Sequence, residues 1–135
     1  FYAAPFELDK EFGGVGVDPS SGLGMSTESR KRATMSPREN TTIAIVATDA
    51  ALTKAECKRV ATAAHDGMGR AIVPAHTPYD GDLVFALSTG SAPAGDTILI
   101  GHAASLCLAR AIARAVYAAT PAPNDLIPSW SDFNA

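Results

Sequence analysis

The feature that most limits how this chain can fold is the change in character at Thr41. Residues 13–40 hold Gly13, Gly14, Gly16, Gly22 and Gly24, several serines, the basic cluster Arg30, Lys31 and Arg32, and Pro37, with almost no large apolar side chain. Such a stretch cannot bury enough apolar surface to offset its conformational entropy, and it reads as a long flexible connection. At Thr41 it gives way to Thr-Thr-Ile-Ala-Ile-Val-Ala-Thr, β-branched or apolar at nearly every position. That is the pattern of a short strand covered on both faces, so a buried strand is expected over 41–48.

A helix follows. Thr53-Lys54-Ala55-Glu56 has the spacing of a capping box, in which the threonine oxygen and the glutamate side chain satisfy the free amides of a helix start. The helix is expected over about 54–69, with Val60, Ala61, Ala64 and Met68 inward and with Gly67 and Gly69 weakening its end. Pro74, Pro78 and the Asp80-Gly81 pair mark a loop, and Leu83 to Thr89 makes a second strand before Gly90. From Thr97 to Ala119, apolar residues at 100, 104, 107, 108, 111, 112, 115 and 116 form a helical stripe that Pro121 ends. The tail, with Pro121, Pro123 and Pro128, is expected to be extended and to dock Ile127, Trp130 and Phe133 on a neighbour. Strand, helix, strand, helix is half of a layered α/β arrangement, because two strands alone make a poor sheet. The rest of the sheet is expected from elsewhere.

The apolar content leans on alanine, which favours closely packed helices lying on a sheet. A net charge of −3 gives no electrostatic reason to bind nucleic acid or an anionic membrane. Cys57 and Cys107 fall within alanine-rich helical patterns and are expected to be buried thiols in a reducing, cytoplasmic setting rather than a disulfide. No apolar run approaches the roughly 18–20 residues of a membrane span. Beginning at Phe1-Tyr2-Ala3-Ala4-Pro5 without an initiator methionine, the chain is expected to be a piece of a longer product.

Most familiar catalytic patterns fail. Gly13-Gly14-Val15-Gly16 leads into neither a lysine-serine pair nor a helix, as a phosphate loop requires. His65, His76 and His102 sit at no metal-ligand spacing, and no Gly-x-Ser-x-Gly elbow occurs. No metal or cofactor is expected. What remains is the Asn40–Thr41 junction, a hydroxyl residue that opens a strand directly after a long connection. Attack of the Thr41 hydroxyl on the Asn40 carbonyl gives an ester that water opens, leaving Thr41 with a free α-amine. That amine, with an ordinary pKa near 8, can serve as base for its own side chain without a histidine. The plainer alternative is that Thr41 merely begins a strand. Asp80 and Asp82, two apart in extended backbone, project to one side and can face one site; alternatively Asp80 simply caps a turn.

Across residues 40–90 the sequence resembles the DmpA-like family of N-terminal nucleophile hydrolases. The resemblance rests on Asn40-Thr41-Thr42-Ile43-Ala44-Ile45-Val46-Ala47-Thr48-Asp49-Ala50, Ala64-His65-Asp66-Gly67, Arg70-Ala71-Ile72, Pro74-Ala75-His76-Thr77-Pro78 and Asp80-Gly81-Asp82-Leu83-Val84-Phe85-Ala86. Within the family, the Asp-Gly-Asp motif is similar to that of the endo-type 6-aminohexanoate-oligomer (nylon-oligomer) hydrolases. The resemblance implies an αββα sandwich of which this chain supplies only part. Residues 1–40 would close an α chain and 41–135 would be a β chain headed by the nucleophile. It implies Thr41, Asp80 and Asp82 as catalytic residues and the Asn40–Thr41 bond as the autocleavage site. A lysine and an asparagine oxyanion donor would come from the α chain upstream of Phe1. The implied partners are that upstream segment, further αβ units in a tetramer, and a small amide or oligomer substrate.

Three other readings stay open. One is an aminopeptidase or β-aminopeptidase of the same family. A second is an acyltransferase like the ornithine acetyltransferases, whose nucleophile strand ends in Thr-Asp-Ala as Thr48-Asp49-Ala50 does, although Glu39-Asn40 replaces their usual Met-Ala. The third is a structural small subunit without catalysis.

Overall fold

The computed structural model describes residues 1–16, 41–124 and 129–133. Most of the expected connection, Asn40, Ile127, Pro128 and the Phe133 side chain lie outside the described residues. After Thr41 the elements are β1 (Ile43–Ala50), α1 (Lys54–Ala71), β2 (Leu83–Ala92) and α2 (Thr97–Ala118), with a single turn of helix, α3 (Trp130–Phe133), near the C-terminus. The expected order therefore holds, with β2 running beyond Gly90, which takes a left-handed φ of +67° within the strand. β1 and β2 pair in parallel with an unbroken register from Ile43 opposite Leu83 to Thr48 opposite Ser88, and an irregularity follows before Ala50 meets Ala92.

α1 starts as its sequence dictates. The Thr53 N–H donates to Glu56 Oε2 at 2.7 Å and the Glu56 N–H donates to Thr53 Oγ1 at 3.3 Å, a complete capping box. The Thr53 backbone donor, then its hydroxyl, hold the Glu56 carboxyl below the usual range. Asp96 caps α2 by accepting the Ile98 N–H at 2.8 Å.

The two helices cross the same face of the sheet. Val60, Ala64 and Met68 of α1 meet Ala104 and Leu108 of α2, over Ala44, Val46, Val84 and Ala86 of the strands. The contact is close because α1 carries Gly67 there. A Cβ at Gly67 would overlap the Ser105 carbonyl oxygen and stand 3.0 Å from Leu108 Cβ. Gly67 is thus buried in the helix–helix seam, and the expectation that it weakens the helix end is corrected: the helix continues to Ala71, and Gly67 is what lets it lie against α2. Ser105, buried in the same seam, donates to the His102 carbonyl at 2.8 Å and accepts from Arg70 Nη1 at 2.8 Å, so its hydroxyl is satisfied.

Three further expectations change. The buried stripe of α2 is Gly101, Ala104, Ser105, Leu108, Ala109 and Ala113, rotated away from Cys107, Ala111 and Val116, because small residues allow the close approach to α1. Cys107 is therefore exposed rather than buried; Cys57 is half-buried and both thiols are free. α2 is also long and apolar enough, by length and composition alone, to cross a membrane, which a search for uninterrupted apolar runs overlooks. Here its small-residue face packs on α1. Finally, β1 is covered on one face only. Along it exposed and partly buried residues alternate, leaving Ile43 68% and Ile45 65% exposed, beside Phe85 at 60% on β2. Among the described residues both helices take the other face, so the apolar run that suggested two covered faces has one layer above it and none below.

Residues 1–16 form a second small core against α2. Ala3 and Phe12 are fully buried with Ala109 and Ala113, and Phe1 lies edge-on to Phe12 and Tyr117 and 4.5 Å from the Trp130 ring. Glu7 Oε1 accepts the N–H groups of Phe12 and Gly14, both at 2.9 Å, while Gly13 and Gly14 adopt φ of +90° and +64°. Residues 13–16, expected to open the flexible connection, instead belong to this folded segment. Glu11 forms a two-pronged pair with Arg110, through Nε to Oε1 and through Nη2 to Oε2 at 2.9 Å, with Arg114 Nε 3.7 Å away. The Arg110 hydrogen bond lowers the Glu11 pKa and raises that of Arg110.

Two outcomes follow for the full-length protein. Gly67→Ala gains up to about 1 kcal/mol of helix propensity but forces α1 off α2, an overpacking cost of roughly 1–3 kcal/mol, so urea melts should show a net loss of about 1–2 kcal/mol. Glu11 ionises more readily in the folded state. Its contribution is therefore complete above its unfolded pKa of 4.5 and is lost as pH falls through the lower folded value. Melting temperatures followed from about pH 5 to about pH 3 should fall further for the wild type than for Glu11→Gln.

Candidate active site

A parallel pair brings the beginnings of its two strands to the same end of the sheet. Extending the register from Ile43–Leu83 back by two residues sets Thr41 opposite Gly81 and Thr42 opposite Asp82. Residues forty positions apart therefore meet at one edge, delivered by the crossover through α1 and the loop 72–82.

The contacts at this edge are specific. Thr42 is held twice: its N–H donates to Asp82 Oδ1 at 2.8 Å, and its carbonyl accepts the Leu83 N–H at 3.0 Å. Asp82 thus extends the strand ladder with a carboxylate, and its side chain is only 7% exposed. Beside it, Thr41 is exposed, and its hydroxyl lies over Gly81. A Cβ added at Gly81 would come within 2.9 Å of Thr41 Oγ1. The hydroxyl occupies the space that a side chain at 81 would need.

Asp80 plays a different part in the same turn. Its N–H donates to the Thr77 carbonyl at 3.0 Å and its Oδ2 accepts the Thr77 N–H at 2.9 Å, closing the turn 77–80 from both sides. The turn-capping alternative for Asp80 is what these bonds describe. Asp80 and Asp82 accordingly hold different amides, one shaping the loop and the other fixing the strand that Thr41 precedes. Asn40, the other half of the expected cleavage site, lies outside the described residues.

Two residues without an assigned role in the sequence belong to this edge. Gly81 lies in a turn pair and in the Asp-Gly-Asp motif of the resemblance, and its lack of a side chain is the feature that admits the Thr41 hydroxyl. His76 lies in the Pro74–Pro78 motif of the resemblance and at no metal-ligand spacing. It projects from the loop with Nδ1 3.8 Å from Asp82 Oδ2, and its ring lies 5.3 Å from that of His65 on α1. Its position four residues before an Asp-Gly-Asp motif, between Pro74 and Pro78, was a usable signal. His102 is exposed on α2. Among the described residues no group of three His, Cys, Asp or Glu side chains is placed to hold a metal ion.

The structure thus sets a threonine hydroxyl against a glycine, beside a strand start anchored by a carboxylate. Comparison with known proteins adds the family. A protein of Mycobacterium tuberculosis (strain ATCC 25618 / H37Rv) named as an uncharacterized aminopeptidase is 49% identical over 108 residues, covering 70% of this chain and 31% of its own length. A Mycobacterium leprae protein, also named as an uncharacterized aminopeptidase, is 51% identical over 94 residues, covering 59% of this chain and 26% of its own. The chain thus spans about a third of the length of the curated relatives it matches. Residues 13–125, which include the whole of this edge, match peptidase family S58, and the chain belongs to that family.

Proposed function

We propose that this chain is the nucleophile-bearing part of an amide hydrolase, with Thr41 acting after the Asn40–Thr41 bond is cut. The observation that carries the reading is the Thr41 hydroxyl lying over Gly81 just before a strand that Asp82 anchors through the Thr42 amide. In the maturation step Thr41 Oγ bonds to the Asn40 carbonyl carbon, the Asn40–Thr41 C–N bond breaks, and the hydroxyl proton passes to the departing nitrogen, which becomes the α-amine. Water then cleaves the ester, leaving an Asn40 carboxylate and regenerating the hydroxyl. In turnover the same oxygen attacks a substrate amide, the Thr41 α-amine takes its proton and gives it to the leaving amine, and water resolves the acyl-enzyme. Asp82 keeps the nucleophile in register, and Asp80 shapes the turn beneath it.

On this reading residues 1–40 close an α chain and 41–135 form the β chain. The folded segment 1–16, seated on α2, would then hold the two pieces together after the cut. The open sheet face at Ile43, Ile45 and Phe85 supports a second layer supplied by upstream chain, which would complete an αββα sandwich and bring the remaining site residues.

Two substrate classes follow from different observations. The Asp80-Gly81-Asp82 motif favours 6-aminohexanoate oligomers, whereas the aminopeptidase names of the mycobacterial relatives favour residues released from peptide N-termini. Assaying the full-length protein on linear 6-aminohexanoate oligomers beside short peptides and D- and β-amino-acid amides separates them by which series is turned over.

Thr41→Ala should run as a single uncleaved band on a denaturing gel and hydrolyse none of these amides. A Thr41→Ala protein that is still cut after residue 40, or that still turns over substrate, overturns the assignment. Gly81→Ala puts a methyl group against the nucleophile without a change in charge. It should slow both cleavage and turnover at least tenfold, since effects of about two orders of magnitude follow a misplacement of about 1 Å. The folded state should still form, as circular dichroism would show.

A further inference from the structure

The loop that joins α1 to β2 carries one backbone feature that its turn does not explain. His76 adopts a left-handed φ of +55°. For a residue with a Cβ this region is uncommon, although histidine, like asparagine, adopts it more readily than most. Two contacts account for the ring that this backbone presents. One side meets the His65 imidazole on α1, with centroids 5.3 Å apart. The other reaches Asp82, with Nδ1 3.8 Å from Oδ2, the carboxylate oxygen that does not accept the Thr42 N–H. The two oxygens of Asp82 are thereby divided. Oδ1 binds the amide next to the nucleophile, and Oδ2 faces an imidazole that is itself backed by a helix.

We infer that His76 is a positioning residue for Thr41, acting through Asp82. A carboxylate with one oxygen bonded can still swing about its χ torsions. A ring beside the second oxygen limits that swing and with it the range of directions in which Oδ1 meets the Thr42 N–H. Since Thr42 is peptide-bonded to Thr41, an error in that direction passes to the hydroxyl over Gly81. At 3.8 Å the His76–Asp82 contact is longer than a hydrogen bond; the ring acts on Oδ2 as a close neighbour, and as an ion pair only when the imidazole carries its second proton. His76 is 46% exposed and Asp82 only 7%, so the carboxylate is the sheltered member of the pair. His65 supplies the surface against which the His76 ring is aligned.

This inference rests on Thr41 being the nucleophile, and its test uses the full-length protein. Asparagine tolerates the left-handed region, so His76→Asn keeps the backbone while withdrawing the imidazole. Expected are an unchanged melting temperature, cleavage at 40–41 slowed about tenfold on a time-resolved denaturing gel, and a similar fall in kcat with KM unchanged. In combination with Asp82→Asn the loss should not multiply, because both changes break one chain of contacts. His65→Ala should shift kcat in the same direction, and His65→Phe, which restores a ring, should recover it. Wild-type cleavage and turnover in His76→Asn overturn the inference, as does a loss that multiplies fully with that of Asp82→Asn. If His76→Asn fails to fold, the His65 pair decides, and wild-type rates in His65→Ala overturn it. If Asp82→Asn is itself inactive, a raised KM with unchanged kcat in His76→Asn does so. Turnover that survives Thr41→Ala sinks the nucleophile assignment, whereas an inactive Thr41→Ala beside a fully active His76→Asn sinks this inference alone.

Discussion

The parallel pairing of β1 with β2 is the constraint on which the rest of the structure depends. Parallel strands cannot be joined by a tight turn, so the chain must travel back along the sheet before the second strand begins. α1 makes that return, and its capping box starts it three residues after β1 ends. The register then decides what meets at the strand starts. With Ile43 opposite Leu83, Thr41 falls opposite Gly81 and Thr42 opposite Asp82. A slip of one residue would put Asp82 or Asp80 beside Thr41 and take away the glycine that gives its hydroxyl room.

That register is protected by the packing of the helices. Gly67 and Ser105 let α1 and α2 approach closely enough for Val60, Met68 and Leu108 to press on the inward residues of both strands. The same closeness explains why, Leu108 apart, the buried stripe of α2 is made of glycine, alanine and serine rather than its larger apolar residues. Side chains that look spare on α2, Cys107 and Val116 among them, are left outward by this geometry. On the opposite face of the sheet, Ile43, Ile45 and Phe85 remain uncovered among the described residues. Burying such side chains is worth about 1.5–3 kcal/mol each, so an apolar layer against them would be strongly favoured.

Electrostatics are divided between two places with separate tasks. The Glu11–Arg110 pair fastens residues 1–16 to α2, where an acid beside a guanidinium is held ionised. At the strand edge the carboxylates serve amides. Asp80 closes its own turn and Asp82 extends the ladder at Thr42. The fastening joins two side chains, Arg110 lying mid-way along α2, whereas the edge uses backbone donors at a strand start that are otherwise unpaired.

What the sequence determined by itself was local. β-branched runs gave the strands, Thr53 and Glu56 gave the helix start, and the change in composition at Thr41 marked where the folded part after the connection begins, because each signal acts within a few residues. The proposed nucleophile, Thr41, was legible too, as a hydroxyl at a strand start in a recognisable motif, and Asp80 and Asp82 were legible as a pair. The turn that Asp80 caps is local and stood among the alternatives, whereas the role of Asp82 was not legible, since the amide it accepts from lies forty residues away. The same holds for the rest that the sequence missed: Gly67 as the seam between helices, Gly81 as the seat of the Thr41 hydroxyl, the inward face of α2, the folding of residues 13–16 onto it, and His76 beside Asp82. All but the last depend on a distance between segments remote in the chain, and the last on the path of a single loop; only the tertiary structure sets these, because packing and register, not local preference, decide which residues come within a few ångströms.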